Sequence, residues 1–253
     1  MADRHIDIEI ASGGWGEGRP ADIRKLLHSA AHQFMRGPAN LPWPNIYVFH
    51  RPGNPITHHK RRADGRVEIG LNTTDRLWSQ YTFQFAHEMV HFIAGHLPVT
   101  TQWQGTDNPV GWIEESICET GSLFALRAMS NEWRTRPPYP NWRDYSSSLW
   151  SYAQERMDEP AHCVHHGMPF PDWLARNVQA LRRDPCNRQL NTIVAKQLLP
   201  VFEAKPLAWN AVAYLRTSPA GPNAQLDEHL RGWQDGCPGA VRQYVQRIAA
   251  VLR

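Results

Sequence analysis

Residues 83–94 read F-Q-F-A-H-E-M-V-H-F-I-A, an apolar run broken at Gln84, His87, Glu88 and His91. The spacing predicts a helix. His87 and His91, four positions apart, then share one face, so both imidazoles reach a single metal ion. Zinc takes imidazole nitrogens at about 2.0–2.1 Å. Glu88, next to the first histidine, is placed to take a proton from water activated at the metal. The plain alternative is a pair of hydrogen-bonded histidines on a core helix. Two histidines and a glutamate on so apolar a helix need partners, and a metal supplies them directly.

A catalytic zinc uses three protein ligands and keeps one position open. A third histidine in H-E-x-x-H-x-x-G-x-x-H fails here, because Gly95 and His96 are misplaced. Gly105-Thr106-Asp107-Asn108 approaches a G-T-x-D loop but carries Asn108 where the aspartate belongs. A glutamate from a following helix fits best. Residues 112–119 read W-I-E-E-S-I-C-E, which puts Glu115 24 positions after His91. Glu119, one turn later, can accept a hydrogen bond from the free ring nitrogen of His87 and so fix its tautomer. Glu114 and Asp107 are the other candidates; Glu114 reads more simply as a solvated acid at a helix start.

Upstream, Ile6, Ile8 and Ile10 alternate with acids as in a half-buried strand, and Pro20 opens a helix that ends at Gly37-Pro38. Residues 45–50 (N-I-Y-V-F-H) and 66–71 (R-V-E-I-G-L) read as two further strands. Thr73, Thr74 and Asp75 are capping types ahead of the motif helix, with Gly95 as its stop. His58-His59-Lys60-Arg61-Arg62 reads as a basic hairpin tip ending at Asp64-Gly65, able to steer acidic substrates. Beyond Pro137-Pro138-Tyr139-Pro140 the chain reads as mostly helical, ending in a helix from Pro238. Cys163-Val164-His165-His166 has no partner pair at zinc spacing.

The 253 residues are 42% hydrophobic and carry a net charge of +3 with both signs interspersed. That excludes a disordered chain and argues against a dedicated nucleic-acid binder. No apolar run approaches the roughly 20 residues of a membrane span. No basic-then-apolar leader is visible at the start, and four cysteines without a C-x-x-C pair suit reduced thiols in the cytoplasm.

His87-Glu88-Met89-Val90-His91 followed by residues 112–119 resembles the gluzincin zinc metallopeptidases, the group containing thermolysin and the zinc aminopeptidases. The resemblance covers about residues 66–128. It implies His87, His91 and Glu115 as ligands of one Zn2+, Glu88 as general base and Glu119 as the acid behind a ligand histidine. Glu at position 119 departs from the family's usual Asp, and the G-x-M-E-N signature of the aminopeptidases is absent. It further implies a sheet whose edge strand, expected at residues 66–71, pairs with extended peptide. A downstream Tyr or His would hold the oxyanion; Tyr139, Tyr145, Tyr152, His162, His165, His166, Tyr214 and His229 are the candidates, and spacing does not choose among them.

The expected molecule is therefore α+β. A zincin-like domain with a small mixed sheet and an active-site helix occupies residues 1–135, and a helical region, 136–253, closes the cleft. Its expected activity is zinc-dependent hydrolysis of peptide bonds in a peptide or unfolded protein. A zincin-fold module that binds metal without peptidase activity, and an effector protease with one protein substrate, are the alternatives.

Overall fold

Alternating branched apolar residues build the sheet of the computed structural model, which describes residues 6–35, 43–97, 110–164, 167–218 and 224–253. Four strands, β1 (Ile8–Ile10), β2 (Ile46–His50), β3 (Ile56–Arg61) and β4 (Val67–Leu71), lie in the order β1-β2-β4-β3. The β1–β2 and β2–β4 pairs are parallel, and β3 runs antiparallel to β4. Ile8, Ile46, Val48, Val67, Ile69 and Leu71 are fully buried, as the period of two demands of a sheet covered on one face.

The expectation that residues 66–71 form the sheet edge is corrected. β4 is interior, paired with β2 on one side and β3 on the other, and among the described residues β3 is the edge. The basic stretch is thus strand, not hairpin tip. Its sequence, I-T-H-H-K-R, shows no apolar alternation because an edge strand needs few buried side chains; here only Thr57 is buried. The turn itself falls at 62–66, where Arg62 N–H donates to Arg66 O at 2.8 Å and Gly65 takes a φ of 84°.

Helix α1 (Pro20–Phe34) has Pro at its first position and buries Ile23, Leu26, Leu27, Ala30, Ala31 and Phe34 along one face. Its expected terminator, Gly37-Pro38, lies outside the described residues. Helix α2 (Trp78–His96) carries the motif. The threonine-aspartate segment does not cap it. Asp75 instead sits at φ 58°, and its Oδ1 accepts the Glu17 N–H at 2.9 Å, tying the loop back to the chain after β1. Nor does Gly95 stop α2, which continues to His96; burial of His96 and Leu97 carries the helix past the glycine.

The chain divides into two compact units. The first comprises residues 1–98 with 121–154, and the second residues 99–120 with 155–253. Helix α3 (Trp112–Trp133) is continuous and contributes to both, as does α4 (Tyr145–Asp158). In the first unit, α4 is tied to α2 where the Ser79 N–H donates to the Tyr145 hydroxyl at 3.3 Å. The second unit is helical: α5 (Phe170–Arg183), α6 (Arg188–Ala204), α7 (Trp209–Val212), α8 (Leu226–Gly236) and α9 (Gly239–Leu252). Asn187 caps α6 by accepting the Leu190 N–H, and Phe202 stacks on Trp209 at 4.1 Å between ring centroids. Among the described residues no helix is long and apolar enough to cross a membrane.

Candidate metal centre

Helix α2 is apolar on nearly every side, so it is buried on nearly every side. From Gln80 to Gly95 its partly accessible residues are Gln80, Gln84, His87, His91 and Gly95, spaced four, three, four and four apart. That is one stripe along the helix, and both motif histidines stand on it. Their ring centroids are 5.2 Å apart with the planes inclined at 67°.

Glu88, one residue off the stripe, turns inward and is 3% exposed. A buried carboxylate needs a donor, and the edge strand provides one. The Thr57 hydroxyl lies 2.8 Å from Glu88 Oε2 and 2.9 Å from the Glu88 carbonyl oxygen, its single hydrogen shared between them. Oε1 carries no hydrogen bond from a described residue, so one carboxylate oxygen is anchored and the other is open to a proton. The sequence does not single out Thr57, because nothing in its neighbourhood marks residue 57 as strand. Further along β3, a His96 ring nitrogen lies 2.7 Å from the His58 carbonyl oxygen, and Arg61 donates to the His96 carbonyl at 2.8 Å.

The register of α3 on α2 is set within the first unit. A Cβ on Gly121 would fall 2.6 Å from Val90 Cγ2, so the two helices meet at van der Waals contact there. Ser122 Oγ donates to the Phe83 carbonyl at 2.8 Å. One turn before Gly121 on the same continuous helix comes Cys118, fully buried. The candidate donor atoms of His87, His91 and Cys118 all lie within 4.8 Å of one another, which is the metal-competent grouping among the described residues. Two imidazoles and a thiol form a donor set that suits zinc. The sequence gives Cys118 no motif of its own: it is a single cysteine three residues after Glu115, in a stretch whose acids carry the visible pattern.

The acids of residues 112–119 have partners of their own in the second unit. Glu114 is buried and accepts from Arg216, with Nε at 2.9 Å from Oε2 and Nη2 on Oε1. It is the anchor of a buried bidentate ion pair, not a solvated helix-start acid. That pairing, despite the cost of burying the guanidinium, keeps Arg216 charged. Glu115 is half-buried, its Oε1 3.9 Å from Cys186 Sγ. Glu119 is 2% exposed, with Arg188 Nε 3.2 Å from its Oε1. Asp107 lies outside the described residues.

Of the oxyanion candidates, Tyr145 is engaged with Ser79 and Tyr152 packs edge-on against Phe83. His162 has its Nδ1 2.7 Å from the Arg156 carbonyl oxygen, and His165 and His166 lie outside the described residues. His229 is buried, and neither ring nitrogen has a hydrogen-bond partner among the described residues. Burial pushes its pKa down to about 4 from 6.5, against a weaker upward pull from Glu114. Between those two values the unfolded chain binds a proton that the folded chain refuses. Stability from this group is therefore complete above about pH 6.5 and is lost as pH falls toward 4. His229→Leu is expected to flatten that loss. The check is the urea midpoint at about pH 5 and at about pH 7.5, and an unchanged difference between the two would contradict the assignment.

No family model, curated protein or solved structure matches this chain. What the centre does therefore rests on its own geometry.

Proposed function

We propose that the protein is a zinc-dependent peptidase whose metal is held by His87, His91 and a donor from α3. The observation that carries the reading is the arrangement around Glu88: a buried carboxylate, anchored through one oxygen by Thr57, between two histidines on the accessible stripe of a buried helix. A carboxylate is costly to bury, and its place beside the two histidines favours a chemical use for it. Cys118 is the α3 side chain grouped with the histidines and is taken as the third donor, with Glu115 as the alternative. Glu119 lies one turn beyond Glu115 and is taken to act on ligand orientation.

When bound, zinc acts as a Lewis acid, polarising the scissile carbonyl and making water acidic enough to react near neutral pH. The chain's own residues do the rest. Glu88 Oε1 accepts the proton of the attacking water as its oxygen bonds to the carbonyl carbon. The same oxygen then returns the proton to the amine nitrogen as the C–N bond breaks. Thr57 holds Oε2, so the carboxylate keeps its orientation through both transfers. An extended peptide or unfolded protein lying along the outer side of β3 would pass beside Glu88. A reducing, cytoplasmic setting belongs to this reading, and all four cysteines are free thiols.

The test is a peptide-library digest with wild type and Glu88→Gln side by side. Cleavage by the first and not the second supports hydrolysis at this centre. Metal binding without cleavage by either would make the protein a zinc-binding module.

A further inference from the structure

We propose that the substrate is an acidic extended peptide, selected by Lys60 and Arg61 on the edge strand; this rests on the peptidase reading of the same site. Among the described residues β3 pairs as a strand only with β4, and within it the His58 carbonyl is met by a His96 ring nitrogen at 2.7 Å. The strand is tied to the centre at one point, where Thr57 meets Glu88. From there it runs through His59, Lys60 and Arg61, all exposed, and carries no acid.

The neighbouring cations are already compensated. Arg62 meets both Asp64 and Glu68, and Arg66 meets Asp7, Glu9 and Asp64. Lys60 and Arg61 have no carboxylate partner among the described residues, and Arg61 spends one donor on the neutral His96 carbonyl. Two uncompensated cations thus stand three and four positions along the strand from Thr57. A peptide paired with β3 and cut beside Glu88 would place its side chains a few residues from the cut next to them. Carboxylates at those positions gain a complementary charge, while lysine or arginine there meets repulsion. A peptide is favoured over a nucleic acid because a strand edge offers amide hydrogen bonds and β3 presents no Phe, Tyr or Trp for base stacking.

The experiment uses the full chain and matched quenched peptides with Glu, Gln or Lys at successive positions on each side of one bond. Cleavage by wild type, Lys60→Glu and Lys60→Glu/Arg61→Gln is compared. Binding of the labelled Glu and Lys peptides, and of a single-stranded oligonucleotide of equal charge, is read by anisotropy. Wild type is expected to favour Glu over Lys by about tenfold in kcat/KM at low salt, through KM, as two exposed ion pairs allow. The preference should shrink with added salt, and Lys60→Glu should remove or reverse it. Equal use of Glu and Lys peptides, a preference untouched by Lys60→Glu, or equally tight oligonucleotide binding would overturn the inference while leaving the peptidase standing. Absence of any cleavage together with equal binding of the Glu and Lys peptides would remove both.

Discussion

Glu88→Gln is expected to keep its zinc and to lose peptide turnover by about 100- to 10,000-fold, the usual contribution of a positioned general base. The substitution preserves volume, and Thr57 can still donate to the amide oxygen, so the helix and the buried polar contact survive. What disappears is an oxygen able to hold a proton, because the amide is not basic. The loss should appear in kcat at unchanged metal content, as for a group acting only in the transition state. Thr57→Val gives a milder companion result. It leaves the carboxylate in place but buried without its donor, so both turnover and stability should fall, the latter by about 1–3 kcal/mol. Equal turnover by wild type and Glu88→Gln would remove Glu88 from the chemistry.

The second large effect concerns α3. Cys118→Ala is expected to weaken zinc binding by more than about 100-fold, beyond what loss of a residue behind the ligands usually costs. Glu119→Ala should cost about 10- to 100-fold, and Glu115→Gln less than either. Cobalt substitution gives an independent readout, since a sulfur donor produces an intense near-ultraviolet charge-transfer band that vanishes in Cys118→Ala. The reverse order, with Glu115→Gln severe and Cys118→Ala mild, would return the third position to the carboxylate favoured by the resemblance.

The parts of the molecule legible in the sequence are those whose burial pattern is simple. The i, i+4 histidines, the alternation in β1, β2 and β4, and the single face of α1 each follow from one periodicity. Expectation and structure part where a different demand prevails. β3 is unreadable as a strand because it is an edge, and that misplaces the sheet's free side onto β4. Asp75 looks like a helix cap by type but serves the long-range bond to Glu17. Glu114 looks solvated by position but is buried on Arg216, 102 residues away. At the centre, His87, Glu88 and His91 announce themselves by spacing. Thr57 and Cys118 do not, because each enters through packing between elements: the edge strand against α2, and α3 against α2 at Gly121.

The most direct test of the central claim is zinc content by elemental analysis, for wild type, His87→Ala and His91→Ala purified in parallel, with circular dichroism to show that each retains its helices. The account predicts one zinc per chain in the wild type and loss of the metal from both variants. Equal zinc in all three, or none in a folded wild type supplied with the metal, would contradict it.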